Sequence, residues 1–169
     1  MLPKVKTKRT KTPEQALTAL MRLAARAERS SGDALRLMRN WGVEPQEQSK
    51  VLQKLVEMKF IDDARYAQAF VRDKMRFSGW GAYKIRAALR TKGIEAATID
   101  EAIGAVDSRS SAERLAALLE KKSRTVKYAS VYELKNKLTR YAASLGYDFE
   151  TIADAVAQTL KNDDTCSDF

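Results

Sequence analysis

The chain has 169 residues, of which 31% are charged and 44% are hydrophobic, and its formal net charge is +9. This length suits one or two small domains or an extended repeat array, and the basic balance favours an anionic or acid-lined partner, although a solvated basic surface would give the same balance. There is no histidine and only one cysteine, Cys166, which excludes histidine-based acid–base catalysis, histidine-containing zinc sites and an intrachain disulfide.

The first predicted elements are a basic arm and three helices. Residues 1–12 hold five basic side chains and little to bury, so we predict a disordered arm that is either solvated or in non-specific contact with phosphates. A threonine cap followed by Pro13 starts a helix whose apolar stripe runs to about Arg29. A second short helix runs to Trp41, and a third has apolar residues from Val51 onward. No hairpin dipeptide occurs, so helix is predicted throughout.

Residues 61–94 predict two further helices with a glycine-containing break between them. Asp62 or Asp63 can cap the first of these, because a short side-chain oxygen accepts from free N–H groups of the first turn. Helical periodicity puts Tyr66, Phe70 and Phe77 on one face, with Ala67 and Val71 beside them. A different face of the same helix carries Arg65, Arg72 and Arg76. On the second helix Ile85, Ala88 and Leu89 point inward, while Arg86 and Arg90 share a flank with Tyr83.

A glycine followed by an apolar and then an acidic residue occurs three times at nearly equal spacing. The triplets are Gly42-Val43-Glu44, Gly93-Ile94-Glu95 and Gly146-Tyr147-Asp148. In each triplet the glycine suits a left-handed helix end, the apolar residue packs back on that helix, and the acid opens the next helix. The repeat therefore predicts an all-α fold, with three tandem three-helix units stacked into an elongated curved array.

The repeat also predicts where each unit begins and ends. The arm is followed by units at residues 13–60, 61–107 and 108–161, and then by an acidic tail at residues 162–169. In the third unit Lys121, Lys122, Arg124 and Lys127 cluster near the end of a predicted helix. The helix dipole favours cations at that position, so the cluster does not require a functional explanation.

The central stretch also resembles a known family. The segments FIDDARYAQAFVR and KIRAALRTKGI, with Gly81 between them, are similar to the central signature of the RecX family of RecA regulators. The resemblance covers most of residues 14–160 and is most specific in the middle. It implies an array that lodges along the RecA nucleoprotein filament and lowers strand exchange, ATP hydrolysis and co-protease activity.

We expect a cytoplasmic, monomeric, non-enzymatic protein. The resemblance implies a regulator of RecA, foremost an inhibitor, that acts in DNA recombination, DNA repair and the SOS response. The expected partner is the RecA filament, and contact with single-stranded DNA stays open. A stand-alone helical DNA-binding module is the alternative, because pairs of helices in such units resemble helix-turn-helix elements. One departure from the family pattern precedes the central glycine, where relatives often carry a short basic turn and this chain has Phe77-Ser78-Gly79-Trp80.

The candidate surface for a protein or nucleic-acid partner lies in the same central stretch. Its residues are Arg65, Arg72, Arg76, Tyr83, Lys84, Arg86, Arg90 and Lys92. Trp80 either stacks on a base or fills a protein groove, or it packs beneath the turn between the two helices.

No catalytic residues, metal ligands or cofactors are predicted. Glycines never form the cluster that a phosphate loop needs, and the one cysteine offers no ligand set. Asp62 and Asp63 are adjacent, so on a helix they point about 100° apart and do not converge as a catalytic pair. No apolar run approaches the roughly 18 residues that span a bilayer, so no membrane association is expected.

Overall fold

The computed structural model describes residues 10–166, without the side chains of Ser108 and residues 163–166. Nine α-helices and no strand occur in this part of the chain. Their bounds are α1 Pro13–Ala24, α2 Ser31–Asn40, α3 Pro45–Glu57, α4 Asp63–Ser78, α5 Ala82–Thr91, α6 Ala96–Gly104, α7 Ser108–Ser123, α8 Val131–Leu145 and α9 Phe149–Cys166. The predicted all-α class and the series of three-helix repeats are confirmed.

Short polar side chains begin several of these helices. Thr12 caps α1 in a capping box with Gln15, and Pro13 occupies the first turn. Ser30 caps α2 by accepting from the backbone N–H of Asp33. Each cap satisfies N–H groups that have no partner within the helix, and losing one typically costs about 1 kcal/mol.

The three repeated glycines end α2, α5 and α8 in the left-handed conformation. Gly42, Gly93 and Gly146 have φ angles of 70°, 75° and 85°. The apolar residue after each glycine is buried, with 4% exposure for Val43, 4% for Ile94 and 8% for Tyr147. The predicted role of the triplets as helix ends is confirmed, because a side chain at these φ values would be strained and glycine has none.

The described residues divide into two compact units. Those up to Ala67, together with Leu89–Thr98, form the first unit, and Gln68–Ala88 with those from Ile99 onward form the second. The core of the first unit contains Ala16, Leu20, Ala34, Met38, Val43, Val51, Leu55 and Ile61. The core of the second contains Leu115, Leu119, Leu134, Leu138, Ala142, Leu145, Tyr147, Ile152, Ala155 and Val156. Burying one such leucine or isoleucine stabilises by about 1.5–3 kcal/mol.

One backbone arrangement recurs at all three glycine ends. The carbonyl of the residue just before each glycine accepts a hydrogen bond from a segment that immediately precedes another helix. The pairs are Lys11 N to Trp41 O at 2.9 Å, Ser30 Oγ to Lys92 O at 2.8 Å, and Gly81 N to Leu145 O at 2.8 Å. Carbonyls at a helix end have no partner within the helix, so each contact satisfies one of them. We call these contacts the glycine joints.

Two helices differ from the sequence predictions. Helix α1 ends at Ala24 rather than near Arg29, because the chain must turn before Ser30 can cap α2. The buried stripe of α4 is Ala67, Val71 and Met75, which lies about 100° around the helix from the stripe that contains Phe77. Phe77 is consequently 76% exposed.

The predicted terminal segments are described only in part. Residues 1–9 of the predicted arm and residues 167–169 of the predicted tail lie outside the described residues. Within the arm, Lys11 is hydrogen-bonded to Trp41 and Thr12 caps α1. Helix α9 continues to Cys166, so most of the tail segment has a helical backbone.

Candidate partner-binding surface

Two of the predicted surface arginines form close ion pairs within the protein. Arg65 Nε lies 2.7 Å from Glu28 Oε1 in the first unit. Arg86 Nη2 lies 2.7 Å from Asp100 Oδ1 in the second unit. These carboxylates offset the positive charge, so both arginines are less available to a partner than the sequence suggested.

Lys92 belongs to a polar network at the glycine joint that Ser30 forms with the Lys92 carbonyl. Its Nζ lies 3.2 Å from Asp33 Oδ2, and Arg36 lies 3.0 Å from the other oxygen of the same carboxylate. Burial raises the pKa of Asp33, but hydrogen bonds from Arg36 and Lys92 outweigh it and leave the pKa below its usual value. Lys92 therefore holds α2 to the end of α5, and this structural role was not predicted.

The adjacent acids at the start of α4 have different roles. Asp62 Oδ1 accepts from the backbone N–H of Arg65 at 2.9 Å, so Asp62 caps α4. Asp63 Oδ1 accepts from the backbone N–H of Ser31 at 2.8 Å, and the Ser31 hydroxyl donates to its other oxygen. Asp63 thus accepts hydrogen bonds from groups in the first turn of α2 that have no partner within that helix. The sequence left open which acid caps α4, and it gave no signal for this second contact.

Lys84 and Trp80 lie together in the second unit. Trp80 packs against the core of that unit, and its ring meets Phe70 edge-on at 6.4 Å. The Nζ atoms of Lys84 and Lys74 lie 4.7 Å and 4.9 Å from the indole centroid. Lys84 also donates to the Ser144 carbonyl at 3.0 Å. These contacts favour the interpretation in which Trp80 packs beneath the turn. The indole ring also attracts the two ammonium groups and so orders them. Lys74 was missed because only the fold brings it to the indole.

The remaining predicted residues have exposed side chains. On α4, the Arg72 side chain is 70% exposed, and its ion-pair partner is the exposed Asp73 at 3.8 Å. One turn further, the Arg76 guanidinium lies 5.3 Å from the ring of Phe77. We call Arg72, Arg76 and Phe77 the arginine face. Tyr83 on α5 is 62% exposed, and Arg90 is exposed in the first unit.

Comparison with known proteins decides the family. The family models described as the second and third three-helix domains of RecX match residues 62–103 and 110–156. A regulatory protein RecX from Chlorobaculum tepidum is 31% identical over 90% of this chain and 93% of that protein. The chain belongs to the RecX family. All eight predicted surface residues lie within the match to the second domain.

Other RecX proteins share the fold and part of the sequence. A regulatory protein RecX from Clostridium botulinum is 32% identical over 66% of this chain, which spans about half, 53%, of that relative's length. The crystal structure of RecX from Lactobacillus salivarius superposes with a TM-score of 0.79, over 88% of this chain and 96% of that one, at 22% identity. The relatives are named regulatory proteins rather than enzymes.

Metal-binding groups and membrane-spanning helices were the two other kinds of feature sought in the described part of the chain. Within residues 10–166, no group of three or more metal-ligating side chains comes together. Among the helices that the structure describes, none is long and apolar enough to cross a membrane.

Proposed function

We propose that this RecX-family protein is a non-enzymatic regulator of RecA that acts in the cytoplasm as a monomer. In this proposal it binds along the RecA nucleoprotein filament and lowers strand exchange, ATP hydrolysis and co-protease activity in recombination, DNA repair and the SOS response. Support comes from the family match and from the regulatory relatives. The single observation that carries the binding step is the exposed arginine face, which lies within the match to the second domain.

The chemistry of the arginine face suits a protein groove lined with carboxylates. Arginine presents a planar fork of donors that binds carboxylates in pairs, and arginine and aromatic residues are frequent energetic centres of interfaces. Phe77 adds an apolar ring that is 76% exposed and sits beside the Arg76 guanidinium. An exposed phenylalanine that has no role in the core gains free energy when a partner covers it.

The test is charge reversal on this face, Arg72→Glu with Arg76→Glu. The variant is titrated against filaments of the RecA from the same organism on single-stranded DNA, and ATP turnover is measured. Because interface hot spots cost about 2 kcal/mol or more, inhibition should require at least roughly 30-fold more protein. Arg22→Glu with Arg26→Glu makes the same charge change on exposed residues of the first unit and serves as the matched control. Both variants must melt like the parent.

The proposal fails if the folded Arg72/Arg76 variant inhibits as well as the parent. A second candidate function, a stand-alone DNA-binding module, is favoured by Lys74 and Lys84, whose ammonium groups are ordered on one indole ring. Titrating the Arg72/Arg76 variant against bare single-stranded DNA separates the candidates. Loss on filaments alone supports a protein groove, whereas equal loss on both targets supports phosphate contact.

A further inference from the structure

A second basic surface surrounds the start of α8 in the second unit. Between Lys121 and Tyr147 the sequence contains seven basic residues and a single acid, Glu133. The seven are Lys121, Lys122, Arg124, Lys127, Lys135, Lys137 and Arg140. With a net charge of +9 for the whole chain, this short stretch concentrates much of the positive charge.

Contacts on this surface neutralise the acid but leave several cations unpaired. Glu133 accepts from the Ala129 backbone N–H at 2.8 Å and pairs with Lys137 at 2.7 Å. Among the described residues, no carboxylate lies within ion-pair distance of Lys121, Lys127 or Lys135, and all three are exposed. The surface therefore presents uncompensated positive charge to solvent.

Lys137 also holds the segment between α7 and α8 against the first turns of α8. Lys137 Nζ donates to the Lys127 carbonyl at 2.6 Å, which places the backbone of Lys127 beside the second turn of α8. Lys135 lies three residues after Tyr132, so the two share one side of the helix. Lys127, in the connection that Lys137 holds in place, and Lys135, on α8 itself, thus both lie near the start of α8.

Tyr132 provides an aromatic ring among these lysines. It lies in the first turn of α8 and is 75% exposed, and the neighbouring Val131 is 54% exposed. An apolar ring among unpaired lysines matches a single nucleic-acid strand, whose bases stack on aromatic side chains while its phosphates contact cations. Lysine is depleted at protein–protein interfaces but is a regular contact of phosphates, so the unpaired lysines around this ring favour a strand over an acidic protein segment.

We propose that the start of α8 binds single-stranded nucleic acid directly, with Tyr132 stacking on a base and Lys127 and Lys135 contacting phosphates. This inference goes beyond the regulation of RecA and does not rest on it, because the contact requires no other protein. It also uses different residues from those of the arginine face.

The test measures binding of the full chain to a fluorescein-labelled oligothymidylate strand by fluorescence anisotropy, without RecA, over a series of salt concentrations. Tyr132→Ala should weaken binding about 5- to 150-fold, the fold-change that corresponds to about 1–3 kcal/mol for one stacked base. Tyr132→Phe keeps the ring and should bind like the parent. Lys127→Glu with Lys135→Glu should lower the slope of log affinity against log salt by about 1.4, since each phosphate contact on a single strand contributes about 0.7.

Arg22→Glu with Arg26→Glu again serves as the control, because it makes an equal charge change on the first unit and should leave the salt slope near the parent value. Polyglutamate is added as a competitor to test for an acidic protein partner. The proposal is overturned if the parent does not bind the strand at low salt, if Tyr132→Ala binds as tightly as Tyr132→Phe, or if the control loses as much as the lysine variant. It is also overturned if two results are found together. In that case polyglutamate displaces the strand when both polymers are present at the same concentration of negative charges, and polyglutamate binds the Tyr132→Ala variant as tightly as it binds the parent.

Discussion

Gly81 permits a close approach of two backbone segments in the second unit. Its N–H donates to the Leu145 carbonyl at 2.8 Å, and the Tyr83 N–H donates to the Gly146 carbonyl at 3.0 Å. A Cβ atom at Gly81 would lie 2.5 Å from the Gly146 carbonyl oxygen and 2.7 Å from the Tyr147 nitrogen. Both are backbone atoms, so the clash cannot be relieved by turning a side chain. We therefore expect Gly81→Ala to separate the start of α5 from the end of α8.

The size of the effect follows from these contacts. Overpacking a close contact costs about 1–3 kcal/mol, and two hydrogen bonds that are weakened but not broken cost about 0.5 kcal/mol each, the low end of the usual range. The free energy of unfolding should fall by about 2–4 kcal/mol in urea titrations followed by circular dichroism, and the fluorescence of the adjacent Trp80 should report the same transition. For a chain of this size, that loss corresponds to a decrease in Tm of roughly 4–16 °C.

Gly104 provides the matched control, because a Cβ at that position would meet no atom within 4 Å. Gly104→Ala should be neutral or slightly stabilising, since alanine has the higher helix propensity. The reasoning about the glycine joint would be refuted if Gly81→Ala and Gly104→Ala unfolded at the same urea concentration. A Gly81→Ala protein with unchanged stability would mean that the joint can open without cost.

Two further predictions concern the first unit. Asp63→Ala should lower the free energy of unfolding in urea titrations by about 1–3 kcal/mol, whereas Asp62→Ala should lower it by about 1 kcal/mol. The difference is expected because Asp63 accepts hydrogen bonds from a partly buried serine of another helix, while Asp62 only caps its own. Equal losses would contradict the assigned roles. The lowered pKa of Asp33 means that its contribution to stability is present at neutral pH, above the unfolded value of about 3.9, and is lost as pH falls through the lower folded value. Asp33→Asn should therefore be less stable than the parent at pH 7, and the difference should shrink towards pH 3; a difference that does not change with pH would be evidence against this linkage.

Much of the fold could be predicted from the sequence because its signals are local. A threonine followed by proline starts α1, and a left-handed glycine followed by a buried apolar residue ends α2, α5 and α8. Each signal depends on the backbone conformation of a few neighbouring residues, so it can be read without knowing the fold. Helical periodicity similarly placed Arg72 and Arg76 on one face of α4, where both are exposed.

Only the tertiary structure decided which of the predicted cations are available to a partner. Arg65 is paired with an acid 37 residues away and Lys92 with one 59 residues away. Periodicity gives the direction of a side chain from its own helix, but it does not give the carboxylate that a second helix brings beside it. The same limit applies to Trp80, whose packing and two ammonium contacts come from residues on both sides of a turn. The sequence thus determined the helices and their ends, and tertiary packing determined which charges remain on the surface.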